Sequence, residues 1–567
     1  MRLAAALLAM LLAAPVAAQD DPFARLSQAY RKRDAVGAAS VYTPDAALIF
    51  RYDDVPAEQH VGTAAITDSF RDLFAQIDPA LPIDLNFRVT ARSESGAEGF
   101  YRLRIGTGAA AYGRFTVTFG ADGRFATDTS ASATLADFEE ASGPVLVAPD
   151  DEVLDRTYYA SLTGRYRLPD GCDLVVTRSV VRLFLRNSCT GEWRGLTRVS
   201  GREWTAGDRA RSDAVSGVVR FAGQDAPETI TLTAEGRDFT AQRTPAYRSE
   251  DIAFRSADGT VLHGTIYIPA VPAETGTRRA ATVLIHGSGP QDRDGYASII
   301  AVMADELAAG GRIVLAYDKR GSGQSEGDGD RAGFDVLAED ALAGVRTLAA
   351  RADVDPARVG LAGSSQAGWV AAEAVKREPG VADVLLLGAA GSAMTVIEQN
   401  LYNTQVRMGC AGIASADIDL ALDQQRAFFA FVADPAKAAA LDALTAAGNA
   451  RPGLADWLFP DSASTDLTGG QWFTVLAPDF DPRPVWRAYK GRKLFLFSEH
   501  DDATPTGLAM ERSGSDGAEV RLLPGAQHLG LTASGPCQAE LTDVAAFAPQ
   551  LFEEIARFAR GEQVTGP

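Results

Sequence analysis

Three stretches of this 567-residue chain hold residue types that together suit acyl transfer: GLAGSSQAGW at 360–369, SEHDDATP at 498–505 and PGAQH at 524–528. In the first, a strand-like VGLAG runs into a helix-like QAGWVAAEAVKR through a tight turn holding two serines. A serine on such a turn projects its Oγ above the sheet, with the helix N-terminus facing the reacting centre. Small residues two positions before and two after relieve crowding there. Ser365 has Gly363 and Ala367 at those positions, whereas Ser364 would have Ala362 and the bulky Gln366, so Ser365 is the preferred nucleophile. The plainer alternative is that either serine only caps the helix. Of the five histidines, His528 alone follows a late strand-like run in a Pro-Gly loop. Its imidazole would take the serine proton and return it to the leaving group. Asp501, Asp502 and Glu499 compete to orient that ring, and the spacing from Pro505 favours Asp501.

Two glycine-rich loops precede the serine. LIHGSGPQDRDG, at 284–295, places His286-Gly287-Ser288 just after a strand, where backbone N–H groups can receive the charge that develops on a carbonyl oxygen. Its Asp292, Arg293 and Asp294 read equally well as pairs on the surface. In AYDKRGSGQSEG, at 316–327, the glycines allow a sharp turn that Asp318 with Arg320 is expected to brace.

These loops need a frame. From residue 247 onward, a hairpin-like entry gives way to apolar strands alternating with helices, the signature of a mostly parallel sheet covered on both faces. About 100 residues separate the sixth strand from Lys493, too many for a structureless loop, and helical patterns within 393–490 indicate a lid. Its aromatics, among them Phe428, Phe429, Phe431, Trp457, Phe459, Trp472 and Trp486, read mainly as packing of the lid on itself. Residues 150–245 read as a small all-β domain with short strands between Gly, Asp and Asn. Residues 22–138 read as α+β: Ile66, Phe70, Leu73, Phe74 and Ile77 share a helical face, Ile83, Leu85, Phe87 and Val89 alternate along a strand, and a hairpin turns at Asp122-Gly123. The fold class is therefore multidomain.

Residues 1–18, with one basic residue, an apolar run and small residues at Val16, Ala17 and Ala18, read as a signal peptide cleaved before Gln19. The run is shorter than the ~20 residues of a membrane span, so no stable membrane insertion is expected. Export, to the periplasm or outside the cell, makes the four cysteines disulfide candidates. Cys172 and Cys189 flank a hairpin of two strand-like runs, leaving Cys410 with Cys537. A net charge of −20 excludes nucleic acid and anionic membranes as partners. No Cys/His/Asp cluster has metal-ligand spacing, and no cofactor is expected.

HGSGPQDRD, YDKRGSGQSEG, GSSQAG, SEHDDATP and PGAQH occur in an order that makes residues 247–562 resemble the serine α/β-hydrolases, in particular bacterial acyl-aminoacyl-peptidase-like esterases with an HGSGPxDRD loop. The resemblance implies Ser365, Asp501 and His528 as the triad and oxyanion donors at the backbone N–H of Ser288, beside Gly287, and of Gln366. Ala367 departs from the pattern, where glycine is usual, as does Ser364, where histidine is frequent. Separately, VYTPDAALIF followed by HVGTAAITDSF makes residues 22–138 resemble the nuclear-transport-factor-like or ketosteroid-isomerase-like cone, with Asp45 and His60 as its polar candidates and a homodimer as a plausible assembly. The expectation is an exported serine hydrolase that cleaves carboxylic esters through an acyl-enzyme. The alternatives are a peptidase of short peptides or acylated amino acids and, from another class, a non-catalytic small-molecule-binding protein.

Overall fold

A computed structural model describes residues 21–51, 57–77, 83–93, 95–105, 111–133, 145–146, 161–179, 182–200, 202–209, 215–223, 227–271, 277–329, 331–462, 477–538 and 546–562. The signal-peptide segment and Trp472 lie outside the described residues. The chain divides into two compact units, 1–155 and 156–567.

In the first unit, Asp21 caps helix α1 (Pro22–Lys32) by accepting from the Phe23 N–H, with proline at the first helical position. A short α2 (Ala35–Ala39) follows. In α3 (Thr63–Ala75), Ile66, Phe70 and Phe74 are buried while Leu73 is half-buried. Seven strands form one sheet: β1 (Tyr42–Arg51), β2 (Glu58–Val61), β3 (Ile83–Arg92), β4 (Gly96–Ile105), β5 (Ala111–Phe119), β6 (Phe125–Ser132) and β7 (Val145–Leu146), in the order β2-β1-β6-β5-β4-β3-β7. Its one parallel pair is β1 with β6. The alternating Ile83, Leu85, Phe87 and Val89 all face the core, because successive strand residues point to opposite faces.

The second unit begins with eight strands, β8 (Gly164–Arg167), β9 (Asp173–Ser179), β10 (Arg182–Asn187), β11 (Trp193–Ser200), β12 (Glu203–Gly207), β13 (Val215–Ala222), β14 (Thr229–Ala234) and β15 (Arg237–Thr244). They close into a barrel, in which the pairing of β15 with β8 removes the free edges. A disulfide joins Cys172 to Cys189 across the β9–β10 hairpin, the pairing the strand-like runs suggested.

The remaining strands are β16 (Tyr247–Arg255), β17 (Val261–Pro269), β18 (Arg279–Ile285), β19 (Ile313–Tyr317), β20 (Val354–Ser364), β21 (Asp383–Leu387), β22 (Arg492–Ser498) and β23 (Glu519–Leu523), in the order β16-β17-β19-β18-β20-β21-β22-β23. From β19 to β23 across the sheet all neighbours are parallel. Their near-continuous apolar runs feed two cores. Val283, Ile285 and Leu361 pack on α5 (Phe334–Ala349) and α6 (Ala367–Arg377). Leu284 and Ala362, one residue out of phase, pack on α4 (Ile299–Ala309) and α12 (Pro549–Arg560). Between β21 and β22 lie α7 (Val396–Cys410), α8 (Ser415–Ala433), α9 (Ala438–Asn449) and α10 (Arg483–Ala488), and α11 (Thr506–Ser515) follows β22.

Ion pairs fasten the barrel to α4. Arg165 reaches Asp305 and Glu306 at 2.7 Å, and the fully buried Arg186 reaches Glu306 at 2.5 Å while lying over the Phe552 ring. Trp193 stacks on Phe184 within the barrel and meets Phe547 just before α12.

Candidate active site

Strand β20 ends at Ser364, whose backbone still pairs with Leu387 of β21, so Ser364 belongs to the sheet. Ser365 is the residue that leaves it, at φ 56°, a left-handed conformation that a side chain adopts only under strain. That turn aims Oγ at the His528 ring, 3.0 Å from Nε2. On the far side of the ring, Nδ1 lies 2.9 and 3.0 Å from the two carboxylate oxygens of Asp501. Asp501 Oδ1 also accepts from the N–H groups of Ala503 and Thr504, both at 2.8 Å, which fixes the carboxylate.

The competitors for the acid position are engaged elsewhere. Asp502 pairs with Arg407 at 3.0 Å, and Glu499 accepts from the Gly525 N–H. Gly388, at φ 56°, lies under the dyad, where a Cβ would come 2.2 Å from the His528 carbonyl oxygen and 3.4 Å from Asp501. The Ala367 methyl fits because it faces Gly363: a Cβ on Gly363 would sit 2.6 Å from it.

Burial is the largest influence on His528 and pushes its pKa down. The charge of Asp501, its hydrogen bond and the charge of Asp502 together outweigh it, so the ring holds its proton more tightly than an ordinary histidine. His286 behaves oppositely. Burial and the neighbouring Lys319 push it down to about 3, so it stays neutral, edge-on to the Tyr317 ring.

Ser288 and Gln366 line the same small space as Ser365 and His528, and a Cβ on Gly287 would lie 3.5 Å from that of Ser365. What binds these pieces together was not read from the sequence: Lys319 donates to the carbonyls of Gly287 (2.9 Å) and Gly289 (3.0 Å) and to Gln366 Oε1 (2.7 Å). Arg293 and Asp294 are buried, which corrects the surface reading. Arg293 pairs with Asp318 at 2.8 Å, and Asp294 accepts from Arg178 of the barrel. Asp318 and Arg320 both brace their turn: Asp318 Oδ2 accepts from the Gln324 N–H at 2.9 Å, and Arg320 pairs with Asp340 and Asp258.

The lid meets the acid loop along one face of α7. Gln399 donates to the Ala503 carbonyl, Tyr402 to that of Asp501 and Asn403 to that of Asp502, while Arg407 forms the ion pair already described. A second disulfide, Cys410–Cys537, ties the end of α7 to the loop beyond His528. Phe428, Phe429 and Phe459 pack on one another, and the space beside Ser365, about 30 Å³, is lined by none of them.

Residues 282–538 match the sequence profile of the alpha/beta hydrolase family, and the part of the chain that holds the site has an α/β-hydrolase fold. The uncharacterized protein YfhR of Salmonella typhimurium is 30% identical over 160 residues, 28% of this chain and 51% of that protein. The chain thus spans about half the length of that curated relative. Among solved structures, Est1E of Butyrivibrio proteoclasticus with ferulic acid bound is 15% identical over 55% of this chain and 98% of that one, with a TM-score of 0.35. An esterase of Pyrococcus furiosus is 15% identical over 50% of this chain and 85% of its own, with a TM-score of 0.33.

Proposed function

We propose that this protein is an exported serine hydrolase of carboxylic esters. Ser365 Oγ attacks the acyl carbonyl as its proton passes to His528 Nε2, and Asp501 holds the imidazolium. The oxyanion is received by the backbone N–H groups of Ser288 and Gln366. His528 returns the proton to the departing alcohol, leaving an acyl-enzyme. Water, deprotonated by the same ring, then releases the acid and restores Ser365. The observation that carries this reading is the unbroken hydrogen-bonded line from Ser365 Oγ through both ring nitrogens to Asp501. Two disulfides agree with an oxidising compartment, and among the described residues no helix is long and apolar enough to cross a membrane.

Labelling with a fluorophosphonate tests the assignment. Wild type and Ser364→Ala are expected to label and Ser365→Ala to stay blank, and the reverse pattern would overturn it. Acyl esters run beside aminoacyl anilides then separate esterase from peptidase.

A further inference from the structure

A second cavity, about 350 Å³, lies in the first unit between α1, α3 and the sheet. That is the size of a small-molecule site. Nine aromatic rings line it, among them Tyr30, Phe70 and Tyr101. Into this apolar space the sequence puts a carboxylate. Asp128, on β6, is buried and accepts a 2.7 Å hydrogen bond from the Tyr42 hydroxyl through Oδ2. Its other oxygen, Oδ1, is buried with no hydrogen-bond partner among the described residues. A buried carboxylate oxygen left bare is costly, so a fold that keeps one beside a cavity has a use for it. Among the described residues, the other charged or titratable groups on the wall are Glu58, His60, Asp72 and the tyrosines Tyr30, Tyr42 and Tyr101, and neither lysine nor arginine lines it. The cavity is therefore electronegative, and its ring faces favour positive charge as well.

We propose that this cavity binds a hydrophobic organic cation, whose ammonium pairs with the Asp128 carboxylate and whose apolar body lies against the aromatic walls. Fatty acids and other carboxylates, which the walls would repel, are excluded. Of the two polar candidates in this unit, His60 lines the cavity beside Glu58, while Asp45 is exposed and outside it. Burial raises the Asp128 pKa to about 6, against the pull of the Tyr42 hydrogen bond, so the carboxylate is charged at neutral pH and loses that charge in mild acid.

Titration calorimetry of the full chain with three isosteres tests this: 4-phenylbutylamine, 4-phenylbutanol and 4-phenylbutyrate. At pH 7.5 the amine is expected to bind at least tenfold more tightly than the alcohol, with no binding of the acid, and to weaken at pH 5. Asp128→Asn, which can still accept from Tyr42, should bring the amine down to the affinity of the alcohol. Leu103→Trp, which leaves the Tyr42–Asp128 pair intact, should block all binding, and thermal unfolding verifies that both variants fold. Equal binding of the three probes, amine affinity unchanged in Asp128→Asn, survival of binding in Leu103→Trp, or no saturable amine binding up to millimolar concentration would each overturn the proposal.

Discussion

At the scale of single residues, the site depends on where one proton sits. In the proposed mechanism His528 is the general base and must be neutral, and its pKa is held above the ordinary 6.5. Ester hydrolysis should therefore rise with pH through an inflection above 6.5, and a kcat/KM profile reads it directly. Asp502→Asn removes one of the charges that raise the ring, so the inflection should move down while the fold is kept. Lys319 is the second test. It holds both halves of the proposed oxyanion site, so Lys319→Met should cost on the order of 10²-fold in kcat, as small misplacements at a reacting centre do, with KM little changed. That Ser365 and not Ser364 faces His528 was legible because the crowding at a tight turn is a property of residues two positions away. Ala367 departs from the usual glycine, and the room for its methyl comes from Gly363, four residues before it in the same turn, which carries only hydrogen there. Lys319 was illegible because its partners lie 30 to 47 residues away and two of them are backbone carbonyls, which no side-chain pattern encodes.

At the scale of elements, α7 does more than roof the site. Residues 399, 402, 403 and 407 share a face and hold the acid loop by its carbonyls and by Asp502. Tyr402→Phe deletes one neutral hydrogen bond, worth about 0.5–1.5 kcal/mol. It should lower melting temperature slightly and kcat more than KM, measured by calorimetry and steady-state kinetics. The helical pattern of the lid was readable from its sequence, but the partner of this polar face was not. That face meets a loop about 100 residues further on, and three of its four contacts go to main chain. The aromatic residues gave the right signal for packing, since Phe428, Phe429 and Phe459 close on each other.

At the scale of the whole molecule, the rhythm of the sequence changes near residue 247, yet residues 156–567 form one compact unit. The ion pairs that unite barrel and sheet join residues more than 100 positions apart, which is why sequence pattern alone reads a boundary there. Arg186→Ala would leave Glu306 to Arg165, which reaches it at 2.7 Å and also serves Asp305. Breaking a buried pair outright costs about 3–5 kcal/mol, so with Arg165 still in place urea unfolding should show a smaller loss than that. Asp294, in the loop beside the proposed oxyanion site, depends likewise on Arg178 of the barrel, so a chain starting at residue 247 should hydrolyse esters more slowly than the full chain.

The Cys410–Cys537 bridge starts at the end of α7 and closes a ring of chain that contains the rest of the lid and the Asp501 loop and passes His528 before it ends. Synthesis where thiols stay reduced would leave that ring open. Two preparations of identical sequence, one folded in the cytosol and one beyond it, would then differ in how far the roof over Ser365 can lift. The place where the chain matures thus becomes a determinant of which molecules can reach Ser365.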